Sequence, residues 1–177
     1  MSQHIHGLKV GDSIQIKGPL KKHQYEPNQY KEIGLLAGGT GVTPCMQVLR
    51  AIRSNPDDRT KVTFIFTNKS EKDILLREEF DELARTDDRF RVVYGLDKLP
   101  KDFKGPHHDQ FEGYITIEIL SKHMPAPAKA DDIRIFLCGP PPFVESIAGN
   151  KVKGQQPENL KGLLADLGYQ PDQVYRF

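Results

Sequence analysis

Gly38-Gly39-Thr40-Gly41-Val42-Thr43-Pro44 is the stretch on which the reading of this chain turns. The apolar run Ile33 to Ala37 precedes it, and a segment with apolar Cys45, Met46, Val48, Leu49 and Ile52 follows. This pattern predicts a strand, a tight glycine turn and a helix over 44 to 54. A helix that starts after such a turn aims unpaired backbone N–H groups and the positive end of its dipole at the mouth of the turn, where phosphate is the usual occupant. Glycine-rich turns also join strands to helices without any ligand, and Pro44 stands where the Gly-x-Gly-x-x-Gly fingerprint would have its third glycine. Thr43 reads instead as the helix N-cap and Pro44 as the first helical residue, with Thr40 and Thr43 offering hydroxyls to a ligand.

The same alternation extends downstream. Strands are predicted at 61 to 67, 90 to 96 and 133 to 138, and helices at about 75 to 85, 115 to 123 and, with Leu160, Leu163, Leu164 and Leu167 on one stripe, 158 to 167. Val174 to Phe177 reads as a short closing strand. Upstream, Val10, Ile14 and Ile16 on alternate positions predict a strand over 10 to 18, and 20 to 31 reads as a surface loop or linker. Strands that alternate with helices and are themselves nearly continuous in apolar residues imply an α/β fold with a parallel, doubly wound sheet covered on both faces. Ligands of such sheets sit at the carboxyl ends of the strands.

Four strand ends are therefore candidates. At the second, Thr67 to Asp73 offers hydroxyls, the Asn68 amide and the Asp73 carboxylate, groups that hydrogen-bond a ribose or form an ordinary capping turn. At the third, Asp97 is placed to accept from a ribose 2′-hydroxyl and repel a 2′-phosphate, or to be a solvated strand-end carboxylate. The fourth, Cys138-Gly139-Pro140-Pro141-Pro142-Phe143, is less generic: consecutive prolines predict a rigid extended wall, and Gly139 allows a flat ligand to approach beside the Cys138 sulfur. A nucleophilic Cys138 is not supported, because no His and Asp or Asn constellation can be assigned to it.

Composition narrows the classes. Of 177 residues, 25 are basic and 24 acidic, so charge does not force a polyanion-binding surface, and nucleic acid is not the expected partner. Apolar runs of about five residues fall far short of the roughly 20 a membrane helix needs. The two cysteines lack metal-ligand spacing and read as reduced thiols, and the six histidines as loop residues rather than ligands.

Gly38 to Pro44, Glu71-Lys72-Asp73-Ile74-Leu75-Leu76, Cys138 to Pro142 and the terminal Phe177 occur in the order found in NADH-cytochrome b5 reductases. The chain resembles the C-terminal two thirds of that family, within the ferredoxin-reductase superfamily; its ending and His4 to Asp12 look most like the fungal mitochondrial branch. The resemblance implies a FAD-binding β-barrel of which residues 1–30 are a remnant with a linker, and a NAD-binding domain over 31–177. It implies FAD and NADH as cofactors, hydride transfer from NADH to FAD, and single electrons passed to cytochrome b5 or a similar haem protein. Residue by residue, it places Gly39, Thr40, Gly41 and Thr43 where the NADH pyrophosphate and nicotinamide meet the flavin, with Thr43 and Cys138 at the reacting centre. It places Asn68 and Asp73 on the adenosine side, Asp97 as the residue associated with NADH preference, and Cys138, Gly139, Pro140 and Pro141 around the nicotinamide. Phe143, which departs from the Met often found there in the family, and Phe177 are expected among the cofactor-binding residues. Met1-Ser2 looks like the tail of a flavin-binding Gly-Gly-x-Met-Ser motif, so Ser2 is expected at the FAD pyrophosphate and most of the barrel is expected to be missing. A monomer is expected, in the mitochondrial outer membrane or intermembrane space through an anchor outside this chain, with the endoplasmic reticulum or cytosol as alternatives. Other readings of function are an NADH-binding module without turnover and the flavin portion of a nitrate-reductase-type enzyme.

Overall fold

The computed structural model describes residues 2–18, 23–106, 109–128, 131–149 and 159–177. A short helix α1 (Ser2–His6) is followed, from residue 32, by β1 (Glu32–Gly38), α2 (Val42–Ser54), β2 (Lys61–Asn68), α3 (Arg77–Thr86) and β3 (Phe90–Leu96). Then come β4 (Gln110–Glu112), α4 (Ile117–His123), β5 (Ile133–Cys138), α5 (Pro141–Ala148), α6 (Gly162–Asp166) and β6 (Val174–Arg176). The six strands form one sheet in the order β4-β3-β2-β1-β5-β6, and every pairing is parallel. This is the doubly wound parallel sheet that the alternation predicts.

Both faces are covered, which is why the strands are apolar at almost every position. Ile33, Leu35, Ala37, Phe64, Phe66, Val92, Tyr94 and Phe136 point to the face packed by α2 and α3. Their immediate neighbours Leu36, Ile65, Val93, Ile135 and Leu137 point to the face packed by α4, α5 and α6. A side-chain period of two assigns consecutive residues of one strand to different cores.

Strand order changes direction at β1: from it the chain builds outward through β2, β3 and β4, then returns to place β5 and β6 on the other side. In parallel sheets the crevice outside the strand ends at such a switch point is where ligands bind. Here it lies between the carboxyl ends of β1 and β5, which are Gly38 and Cys138.

The front of the chain departs from expectation. No strand forms over 10–18: Val10 and Ile16 are exposed, and the stretch pairs with no other described strand. Alternating apolar residues make a strand only where another strand accepts their backbone groups, and none does here. The linker is not a free loop either. Tyr30 is buried, the Tyr25 hydroxyl donates to Asp58 Oδ2 at 2.6 Å, and Asn28 N–H donates to Asp58 Oδ1 at 3.2 Å. Among the described residues no helix is long and apolar enough to cross a membrane.

Candidate functional site

The glycine turn folds as a single 3₁₀ turn, Gly39–Gly41, that runs directly into α2. The N-cap is therefore Gly41 and not Thr43; Thr43 lies in the first turn, where its hydroxyl donates to Thr40 O at 3.2 Å. The 3₁₀ turn advances the helix start by two residues, a shift that cap propensity alone does not foresee. No side chain caps α2; the N–H of Val42, its first residue, donates to Gly39 O and Thr40 O of the 3₁₀ turn, and the N-terminal end of the helix dipole faces the crevice. Gly39 takes a left-handed φ of 52°, which glycine adopts without strain, and Thr40 is exposed beside it.

The triple proline also differs from the expected wall. Pro140 alone is extended; Pro141 and Pro142 are the first residues of α5, where a missing N–H costs no helical bond. A second helix N-terminus thus opens at the crevice, next to the first.

These two turns touch. A methyl group at Gly41 would lie 2.2 Å from Cys138 O and 2.8 Å from Gly139 N, and one at Gly139 would lie 3.2 Å from Gly38 N. A methyl at Gly38 would meet Pro140 Cδ at 3.1 Å and Phe143 Cγ at 3.3 Å. The phenyl ring of Phe143 packs over both Gly38 and Gly139, so it forms the wall behind the crevice. Only glycine lets two backbones and a ring come this close.

The other strand ends continue the same edge. Thr67 Oγ1 donates to Ala37 O at 3.3 Å, tying β2 to β1. Asn68 is 7% exposed, and neither its Nδ2 nor its Oδ1 has a hydrogen-bond partner. An unmatched buried amide costs about 1–3 kcal/mol, a cost that a ligand group supplying donor and acceptor would remove. The main-chain oxygen of Asn68 accepts from Asp97 N–H at 3.2 Å, which fixes the exposed Asp97 beside it. Asp73 is less available: Oδ2 accepts from Ser70 N–H at 3.0 Å and Ser70 Oγ–H at 2.6 Å, which closes a capping turn.

Beneath this end, Arg77 pairs with Glu71 and Asp81 and stacks 4.7 Å from the Phe103 ring. Just before Arg77 the chain passes through left-handed Leu76 (φ 56°), with Leu75 and Leu76 about half exposed and Ile74 buried.

Phe177 N–H donates to Leu137 O at 3.1 Å, which prolongs the β5–β6 ladder and brings the last residue alongside Cys138. Its ring stacks on Phe136 at 5.8 Å and meets Tyr175 edge-on at 5.1 Å. Cys138 is partly exposed. The side chain of Ser2 lies outside the described residues.

Sequence reasoning missed Tyr114. β4 is only three residues long, too short for a periodic signal, yet Gly113 N–H donates to Leu96 O at 2.7 Å and carries the chain back to the end of β3. Tyr114, 89% exposed, follows there. A fully exposed aromatic after a turn glycine was the available cue. His23 was missed as well: it is no free loop residue but packs 5.0 Å from Phe136 and 4.9 Å from Tyr175.

The structure thus brings Gly39, Thr40, Gly41, Thr43, Asn68, Asp97, Cys138, Gly139, Pro140, Pro141 and Phe177 to one edge of the sheet. The oxidoreductase NAD-binding domain family matches residues 35–149. The NADH-cytochrome b5 reductase 2 of Mycosarcoma maydis is 57% identical over the whole chain, which covers 49% of that protein. That of Neurospora crassa is 47% identical, with 100% of the chain and 50% of the relative covered. The chain spans about half the length of these curated relatives. Among solved structures, the cytochrome b5 reductase domain of Ulva prolifera nitrate reductase superposes with a TM-score of 0.80 at 30% identity, over 99% of this chain and 64% of that one. The CS-b5R domains of human Ncb5or, in the NAD+ form, superpose with a TM-score of 0.75 at 26% identity, over 99% of this chain and 44% of that one.

Proposed function

Because this chain belongs to the oxidoreductase NAD-binding domain family, we propose that it is the pyridine-nucleotide half of a FAD-dependent NADH:cytochrome b5 oxidoreductase. The observation that carries the reading is the contact of the glycine turn with Cys138 and Gly139 at the switch point of the sheet.

The residues present fit NADH. The α2 N-terminus, which no side chain caps, and Gly39 to Gly41 suit the pyrophosphate, with the Thr40 and Thr43 hydroxyls beside it. The Asn68 amide, buried and unmatched, offers both a donor and an acceptor toward the adenosine half. Asp97 would accept from the 2′-hydroxyl and repel a 2′-phosphate, favouring NADH over NADPH. Tyr114 and the half-exposed Leu75 and Leu76 offer apolar surface to the adenine. On the other side, Cys138, Gly139 and Pro140 would hold the nicotinamide flat against the opening, with Phe143 filling the space behind it. Asp73, bound to Ser70, contributes through the shape of its turn.

Toward FAD, Phe177, Thr43 and Cys138 are proposed as the residues that would border the flavin, and residues 1–30 as a barrel-side segment. When bound, flavin supplies the conversion of a two-electron hydride donor to the one-electron steps of a haem acceptor. The chain's part is to hold the nicotinamide at reacting distance and keep it oriented. Cytochrome b5 as acceptor is supported by the names of the relatives, and a mitochondrial setting by resemblance to the fungal branch.

Calorimetric titration of the chain with NADH, NADPH and FAD tests this. Saturable NADH binding, weaker NADPH binding and negligible FAD binding are expected. Absence of NADH binding by the folded chain would overturn the reading.

A further inference from the structure

Cys45 and Cys138 stand on two elements that approach each other behind the crevice, the start of α2 and the end of β5. Along β5, Phe136 points to the α2 face while Ile135 and Leu137 point away from it, so Cys138, two residues beyond Phe136, projects toward α2. On α2, Cys45 follows Gly41 by one turn and lies on the same side of the helix, and Gly41 is the residue whose methyl would strike Cys138 O at 2.2 Å. Cys45 is fully buried, and Cys138 is partly exposed at the crevice. Both side chains are therefore directed toward the space between the first turn of α2 and the end of β5. Burial first, and then the neighbouring Cys138, push the Cys45 thiol up, which keeps it protonated and unreactive by itself.

We propose that Cys45 and Cys138 are an oxidisable pair that a hydroperoxide converts to a disulfide across the base of the crevice. The accessible sulfur of Cys138 attacks the peroxide, forming an S–O bond as the O–O bond breaks. The thiol proton leaves with the displaced oxygen as water, or as an alcohol from an alkyl peroxide. The sulfur of Cys45 then displaces the hydroxyl from the Cys138 sulfenic acid, an S–S bond forms, and the proton of Cys45 departs with that hydroxyl as a second water. Two thiols lose two electrons and the peroxide gains them. Because Cys45 must lose its proton in a dry site, the second step is slow, on the scale of minutes to hours. The product ties α2 to β5 and draws the Cys138 sulfur out of the opening. Its effect on ligand binding, which rests on the assignment of the crevice to NADH, is a weakened affinity that thiol reductants restore.

The test is hydrogen peroxide treatment of the full chain, followed by non-reducing digestion and mass spectrometry. A peptide pair linking Cys45 to Cys138, two hydrogens lighter than the separate thiols and cleaved by dithiothreitol, is expected. In Cys45→Ala the Cys138 sulfur should instead advance to the irreversible sulfinic and sulfonic acids. Overoxidation of Cys138 in the unsubstituted chain without a linked peptide would overturn the proposal, and so would thiols left intact under peroxide that oxidises free glutathione. This readout needs no variant and no nucleotide. Calorimetric titration of oxidised and reduced chain with NADH then reads the consequence: a loss of affinity of tenfold or more is expected, and equal affinities would overturn the regulatory half. If neither form binds NADH while the linked peptide is present, the functional assignment fails and the thiol pair stands.

Discussion

Single residues carry most of the discrimination in this crevice. Gly41 has an ordinary helical φ of −62°, so alanine there is conformationally acceptable, but its methyl would meet a backbone oxygen that β5 holds fixed. Gly41→Ala is expected to lower stability by about 1–3 kcal/mol through overpacking and to abolish NADH binding, checked by urea unfolding alongside nucleotide titration. The role proposed for Asp97 rests on charge and not on the fold: Asp97→Ala should narrow the ratio of NADH to NADPH affinity by about tenfold, about 1.4 kcal/mol, with the unfolding midpoint unchanged. An unaltered ratio would remove Asp97 from the specificity argument. Asp97 stands out in the sequence because a carboxylate directly after an apolar strand has few structural duties. Thr43 was misread as a cap, since a 3₁₀ turn moved the helix start, and the unmatched amide of Asn68 is a property of packing that no spacing reveals.

At the scale of elements, continuity of apolar residues made β1, β2, β3 and β5 readable, whereas β4, three residues at an edge, left no period to read. The predicted strand at 10–18 had the right alternation but no partner to pair with. The segment before β1 is instead anchored through Asp58, where burial would raise the carboxyl and the hydrogen bonds from Tyr25, Thr60 and Asn28 outweigh it, holding it below the usual carboxylate range. A depressed folded-state pKa contributes stability above the unfolded value of about 3.9 and loses it as pH falls through the folded value. Tyr25→Phe removes one of those bonds. It should cost about 1–3 kcal/mol at neutral pH and flatten the acid limb below about pH 4, as followed by circular dichroism in a pH series.

On the scale of the whole molecule, the region before the sheet is the exposed liability. Val10 and Ile16 present their side chains fully to solvent, and apolar residues on an unpaired extended segment favour association. Val10→Lys combined with Ile16→Lys should reduce light scattering on concentration and leave NADH affinity as it was; equal scattering would place the association elsewhere. Fold class was readable from sequence because the two cores follow directly from alternation within each strand. The meeting of the strand ends was expected only through the family resemblance, since it depends on the order β4-β3-β2-β1-β5-β6, which no local pattern encodes. That order has a consequence for synthesis. The two halves of the cradle are made far apart in time, and the second comes into being only when β5 inserts beside the first strand of the sheet. A growing polypeptide that has not yet reached residue 133 thus owns half a site, and gain of dinucleotide affinity can serve as a reporter of the last long-range step of folding.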